Sequence, residues 1–288
     1  MNDRVRVEIK DHVAHVQLCR PEKMNALTGA TISALIAAGE QVKQDRTVRA
    51  VVLSGEGKAF CAGIDLSLLA GGSDHNVDDM GIRTRDHGIA NAVQQAVLQW
   101  RQLPVPVIAA VHGVALGGGF QLMLGADIRV IHPTTKLGLI EVKWGMVPDM
   151  TGIYLMRELV RPDVLADIVY SARTFSGTEA KEMGIATRIS NDPLATAFEI
   201  ANEIATKSPD AVRAAKRLLT MADQAQIEQI LVQESTEQLA LLGSPNQTEA
   251  VRAGMKKHAA NFTDYPRGLF FYRRTAIAAR YAAGVFAG

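Results

Sequence analysis

The stretch Pro106–Val130, PVIAAVHGVALGGGFQLMLGADIRV, constrains the fold more than any other. An apolar run, Val105–Val111, ends in His112-Gly113, a turn rich in small residues follows over Val114–Gly119, and Phe120–Ala126 reads as a helix. The triplet Gly117-Gly118-Gly119 therefore falls where a strand hands over to a helix. Glycine there allows another group to approach the backbone closely and leaves the first amides of the helix without partners. Those amides and the positive end of the helix dipole stabilise negative charge. A site on this turn is expected to hold an anion or a developing oxyanion.

At 288 residues the chain is long enough for one large domain or two small ones. Hydrophobic residues at 48% and charged residues at 21% place it among ordinary globular proteins. A formal net charge of +1 gives no whole-surface reason to bind nucleic acid or an acidic membrane. Cys19 and Cys61 show no pairing pattern, which points to a reducing compartment. The N-terminal MNDRVRVEIK carries charge where a signal peptide needs an apolar core. No apolar run approaches the roughly 20 residues of a membrane span. A cytoplasmic protein is expected.

Val5, Val7 and Ile9, then Ala14, Val16 and Leu18, alternate with polar residues and predict a hairpin around Asp11-His12. Thr28 is a candidate N-cap for a helix over Gly29–Lys43. Arg49–Ser54 reads as a strand buried on both faces. Gly71–Asp79 reads as a polar surface loop, and Ile82–Leu103 has helical periodicity. Lys136–Glu141 reads as another short strand, and from Tyr154 onward the pattern turns helical between Pro and Gly breaks. No linker divides the chain, so one core domain with a helical C-terminal part is expected. The tail Arg267–Gly288 carries four arginines and no acid, as a terminal extension packed on its own protein or a basic amphipathic segment would.

A second small-residue corner, Cys61–Asp65, resembles the glycine triplet in kind. Two backbone N–H groups aimed at one carbonyl oxygen make an oxyanion hole for an enolate or a tetrahedral intermediate. Either corner alone is as well explained by tight packing.

Four segments then resemble the crotonase superfamily, the enoyl-CoA hydratase/isomerase family: Arg20–Leu27 (RPEKMNAL), Lys58–Leu66 (KAFCAGIDL), Pro106–Asp127 and Ser176–Gly184 (SGTEAKEMG). The resemblance runs from about Val5 to about Phe262. It implies an α/β crotonase-like fold, a ββα superhelical core over 1–205, with helices over 206–266 used in trimerisation and a tail over 267–288 of unassigned role. It also implies a CoA-thioester substrate, no separate cofactor, and a homotrimer or dimer of trimers. Carried over by position, the oxyanion donors are the N–H groups of Ile64 and Gly118. Lys23, Met24, Ala26, Lys58, Ala62, Asp65, Leu66 and Gly117 fall on the path of CoA and substrate.

The family's hydratases use two glutamates. One position matches Glu141, and the other holds Gln121, which cannot exchange a proton at neutral pH but can hold water or substrate. Asp149 matches the second acidic position of the dienoyl-CoA isomerase branch. It pairs with Glu141 to move a proton along the acyl chain, or else caps a helix after Pro148. Three readings follow: an isomerase-like enzyme, favoured slightly, a hydratase working through Glu141, and a non-catalytic acyl-CoA-binding protein. The glycine turn lacks a nucleotide-binding fingerprint. His12 and His15 make a poor metal pair on opposite faces of a strand, so no metal is expected. His112 reads as a hydrogen-bonded core residue, and Cys61 as packing rather than a nucleophile.

Overall fold

The computed structural model describes residues 4–69, 80–220, 224–258 and 260. The Gly71–Asp79 loop and the 267–288 tail therefore lie outside the described residues. Val5–Lys10 (β1) and Val13–Leu18 (β2) form the expected antiparallel hairpin. Its turn residues, Asp11 and His12, sit at φ 49° and 68°, the conformation that suits the twist of a two-residue hairpin loop. His12 thus lies in the turn, bonded to the Thr47 carbonyl, and only His15 lies on the strand, bonded to Ser54. The two do not share a strand as the sequence reading had it.

Thr28 caps the helix Gly29–Gln44 (α1), its hydroxyl accepting from the Thr31 N–H at 3.3 Å. Next come Ala50–Gly55 (β3) and Ala92–Gln102 (α2). The opening stretch becomes Val107–Val111 (β4), Val114–Leu116 (β5), Gly118–Leu124 (α3) and Ile128–Ile131 (β6). Lys136–Gly138 (β7), Gly152–Met156 (α4), Pro162–Ser171 (α5), Gly177–Glu182 (α6) and Arg188–Ile189 (β8) follow. Pro193–Ala205 (α7), Pro209–Thr220 (α8), Gln224–Leu241 (α9) and Pro245–Lys256 (α10) complete the described chain.

Among the described residues one sheet runs β1-β2-β3-β4-β6-β8, parallel from β2 onward, and β5 with β7 makes a two-stranded parallel sheet. β3 and β4 are buried along their whole lengths because both faces of the sheet are covered. Val52, Ile108 and Val130 pack on Ala197, Ile200 and Ala201 of α7. Val51, Leu53 and Ala109 point to the other face, in one cluster with Leu35 of α1 and Val97 and Trp100 of α2. Lys216 of α8 is buried and donates to the carbonyls of Trp100 and Val105 and to Asp127, at 3.1, 2.9 and 2.6 Å. That clamp ties the end of α2 to the loop before β4. Among the described residues, no helix is long and apolar enough to cross a membrane.

Two element bounds are corrected as well. The helix read over Ile82–Leu103 begins only at Ala92, because Asn91 and Gln94 form a reciprocal capping box. Gly81 and Gly88 upstream sit at φ 69° and 70°, outside a right-handed helix. Ile82 is buried without being helical, which is why the apolar period suggested a longer helix. The strand read over Lys136–Glu141 stops at Gly138, and Glu141 opens a 3-10 turn that ends at Trp144.

Candidate active site

The two small-residue corners meet backbone to backbone. Cys61 bridges Ala115 of β5, with its N–H donated to the Val114 carbonyl at 3.0 Å and its own carbonyl accepting from Leu116 at 3.2 Å. A Cβ on Gly63 would lie 2.6 Å from the Leu116 carbonyl oxygen and 3.6 Å from the Gly118 nitrogen. Leu27 pairs with the Cys61–Asp65 corner through the Gly63 carbonyl and the Asp65 N–H. Ile64, between them, therefore turns its own N–H away from Leu27. Gly117 at φ 51° and ψ −124° caps α3, so Gly118 holds the first helical position with no intrahelical acceptor for its N–H. Among the described residues no main-chain acceptor takes the N–H of Ile64 or Gly118.

One turn along α3, Gln121 is almost fully buried. Its Oε1 accepts from the N–H groups of Met150 and Gly152, both at 2.9 Å. Its Nε2 donates to Glu141 Oε1 at 2.6 Å. The other oxygen, Glu141 Oε2, is buried and, among the described residues, without a partner. Gly117 leaves room for this carboxyl: a Cβ there would come within 3.4 Å of Glu141 Oε1. Asp149 is buried in the segment before α4. The N-cap of α4 is Thr151, at φ 68° and with no side-chain cap bond, so Asp149 is not the helix cap that the sequence also allowed. Glu141, Gln121 and Asp149 are thus brought together.

Burial pushes Glu141 up from 4.5 to about 7, against the opposing hydrogen bonds of its own backbone and Gln121, and the Asp149 charge adds to the rise. Burial likewise pushes Asp149 up from 3.8 to about 7. Both groups hold a proton in the folded state that the unfolded chain has already released. They therefore cost no stability below the unfolded values and lower it progressively as pH rises toward about 7. Asp149→Asn cannot ionise, and should be the more stable protein by on the order of 1–3 kcal/mol near pH 8, with less than half of that gain near pH 5. Thermal unfolding at the two pH values checks this; equal gains at both would show that the Asp149 charge is not the source.

The expected CoA and substrate residues fall on adjacent turns. Lys23 and Met24 are exposed at the end of the 3-10 turn Pro21–Lys23, Lys58 is exposed, and Ala26 is buried. The Ala62 N–H donates to the Met24 carbonyl at 2.9 Å, which holds those turns together. Leu66 is 41% exposed. Asp65 has its carboxylate engaged by Arg20 at 2.7 Å and by Ser67, so its side chain braces the corner. His112 bonds the Gly57 carbonyl at 2.9 Å but is half-buried rather than a core residue. The Cys61 thiol is buried, pushed up to about 12 by desolvation, and donates to the Asn25 carbonyl, the reverse of an activated nucleophile. Sequence reasoning missed Asn25, whose amide donates to the Glu56 and Ala59 carbonyls while its oxygen accepts from Arg20. It also missed Met150 and Gly152, which act through their main chains. Among the described residues no cluster of His, Cys, Asp and Glu has the form of a metal site.

A mostly parallel α/β core that sets uncommitted main-chain amides beside buried carboxyls defines a class of proteins equipped to polarise a carbonyl and move protons around it. The profile of the enoyl-CoA hydratase/isomerase family matches residues 8–264, and the chain belongs to that family of enzymes, within the crotonase superfamily. Mouse mitochondrial Delta(3,5)-Delta(2,4)-dienoyl-CoA isomerase is 32% identical over 254 residues, spanning 85% of this chain and 77% of that protein. Enoyl-CoA hydratase EchA19 of Mycobacterium tuberculosis is 31% identical over 260 residues, spanning 89% of this chain and 95% of that protein. In fold, the crystal structure of an enoyl-CoA hydratase from Mycobacterium avium subsp. paratuberculosis superposes with a TM-score of 0.79 at 24% identity, covering 91% of this chain and 99% of that one.

Proposed function

We propose that the protein shifts a double bond within an enoyl-CoA thioester by proton transfer through Glu141, with Asp149 as its partner. The N–H groups of Ile64 and Gly118 hold the thioester oxygen. Glu141 as carboxylate takes a proton from an acyl carbon, the electron pair of that C–H bond moves into the conjugated system as an enolate, and a proton returns at another carbon. The observation that carries this reading is the set of groups at one place: two buried carboxyls with an amide at Gln121. An amide neither takes nor gives a proton at neutral pH, so hydration by two glutamates lacks one of its acids, whereas two carboxyls titrating near neutrality suit proton removal and return.

CoA is proposed to lie across the turns that carry Lys23, Met24, Ala26, Lys58, Ala62, Leu66 and Gly117, with Asp65 supporting that surface through Arg20. A homotrimer or a dimer of trimers in a reducing, cytoplasmic setting belongs to the same proposal. The reading is tested by assaying the protein with a 3-enoyl-CoA, a 3,5-dienoyl-CoA and crotonyl-CoA. Faster isomerisation than hydration, weakened by Asp149→Asn, is expected. Fast hydration of crotonyl-CoA that Asp149→Asn leaves intact would replace it with hydration through Glu141 alone. Tight acyl-CoA binding with no turnover of any of the three would mark a binding protein.

A further inference from the structure

We propose that Gln121 is a positioning residue, which clamps one oxygen of Glu141 and reserves the other, Oε2, as the atom that exchanges protons with substrate. The inference rests on the proton-transfer reading above and assigns a task to the position at which this chain departs from the two-glutamate pattern. The orientation of the amide is fixed by its partners. Two main-chain N–H groups, from Met150 and Gly152, converge on Oε1, so the NH2 group must face Glu141. A flipped amide would set N–H against N–H twice and carbonyl against carboxylate once. The backbone is shaped around this oxygen as well. A Cβ on Gly152 would lie 2.6 Å from Gln121 Oε1, and Thr151 between the two donors takes a left-handed conformation at φ 68°. Such a conformation in a β-branched residue is strained and persists only where its surroundings hold it.

The consequence falls on Glu141. Its Oε1 is occupied, while Oε2 is buried and has no partner among the described residues. A buried oxygen left without a donor is costly, and few survive in a native interior without a use. The Gln121 bond also favours the charged form of Glu141, opposing the burial and the Asp149 charge that favour the neutral form. The helices α5 and α10, which carry Asp163, Asp167, Glu249, Arg252 and Lys256, pack on the same turn, and the Asp149 charge acts on Glu141. A glutamine therefore supplies a donor that does not titrate. A glutamate at 121 would supply it only when protonated: as a carboxylate, one oxygen would suit the two N–H groups and the other would face Glu141 as a like charge.

The test is the pH dependence of turnover on the substrate that the parent handles best, for the parent, Gln121→Glu, Gln121→Leu and Glu141→Gln. Gln121→Leu removes the donor, so the acid limb of the kcat profile should move up by roughly one pH unit and kcat should fall about tenfold with KM little changed. Gln121→Glu, nearly isosteric, should approach the parent at low pH and lose activity progressively as pH rises. Should Gln121→Leu fail to fold, Gln121→Glu carries the test alone. A ratio of variant to parent kcat that stays constant across pH would overturn the proposal and leave Gln121 a packing residue. Full turnover by Glu141→Gln would overturn both this proposal and the proton-transfer reading. Loss of turnover in Glu141→Gln, together with pH-independent ratios for the Gln121 variants, would overturn the positioning role alone.

Discussion

Glu141→Gln should lower kcat by about 100- to 10,000-fold, the usual cost of removing a positioned acid–base group, while the protein stays folded and KM changes little. The substitution keeps the shape of the side chain. Its amide oxygen can still accept from Gln121 Nε2 where Glu141 Oε1 now does, and the new NH2 replaces an oxygen that has no partner. Packing is thus preserved and proton exchange is lost. Burial holds the native carboxyl up at about 7, so the variant also escapes the stability that the parent loses as pH rises toward that value. The variant should therefore melt no lower than the parent near pH 8 while being nearly inert. Steady-state kinetics beside thermal unfolding separate the two effects. Retention of more than about a tenth of the parent kcat would pass the role of base to Asp149 and require a different reading of the site.

What the sequence made legible was local. The hairpin around Asp11-His12, the Thr28 cap and the strand–turn–helix around Gly117 each follow from residues within one turn of one another, and the structure reproduces all three. The likeness of the Cys61–Asp65 corner to the glycine triplet was also readable, because small residues after an apolar run carry their own signal. The surroundings of Gln121 were not. Its two anchors stand 29 and 31 residues away and donate through main-chain N–H groups, which no side-chain pattern announces. The short apolar run in KLGLIE reads as a strand that reaches Glu141. The ladder stops earlier, at Gly138, whose carbonyl is taken by the Gly117 N–H, and the chain then turns. Asp149 after Pro148 had the look of a helix cap, yet α4 starts later, behind a left-handed Thr151. In each case a tertiary contact to the glycine turn or to Gln121 overrode a local pattern.

Gly119→Ala should be damaging out of proportion to one methyl group. A Cβ at this position would lie 2.1 Å from the Cys61 carbonyl oxygen and 2.8 Å from its carbonyl carbon, well inside contact distance. Neither side yields easily. The Cys61 carbonyl is fixed by the Leu116 N–H, and Gly119 sits in the first turn of α3, behind the Gly117 amide bonded to Gly138. Relief has to come from moving α3 away from the Cys61–Asp65 corner, which changes the spacing between the Gly118 and Ile64 amides. Donors to a developing oxyanion act within a window of about 2.7–3.1 Å, and loss of one costs roughly 100- to 1000-fold in kcat. Overpacking adds about 1–3 kcal/mol of lost stability. Gly88→Ala is the matched control: among the described residues a Cβ there meets nothing within 4 Å, but the backbone is at φ 70°, so stability should fall by about 1–2 kcal/mol with kcat unchanged. Kinetics taken well below both melting temperatures distinguish the two. If Gly119→Ala turns over at the parent rate where it is folded, the approach of the two corners matters for packing and not for polarising the thioester.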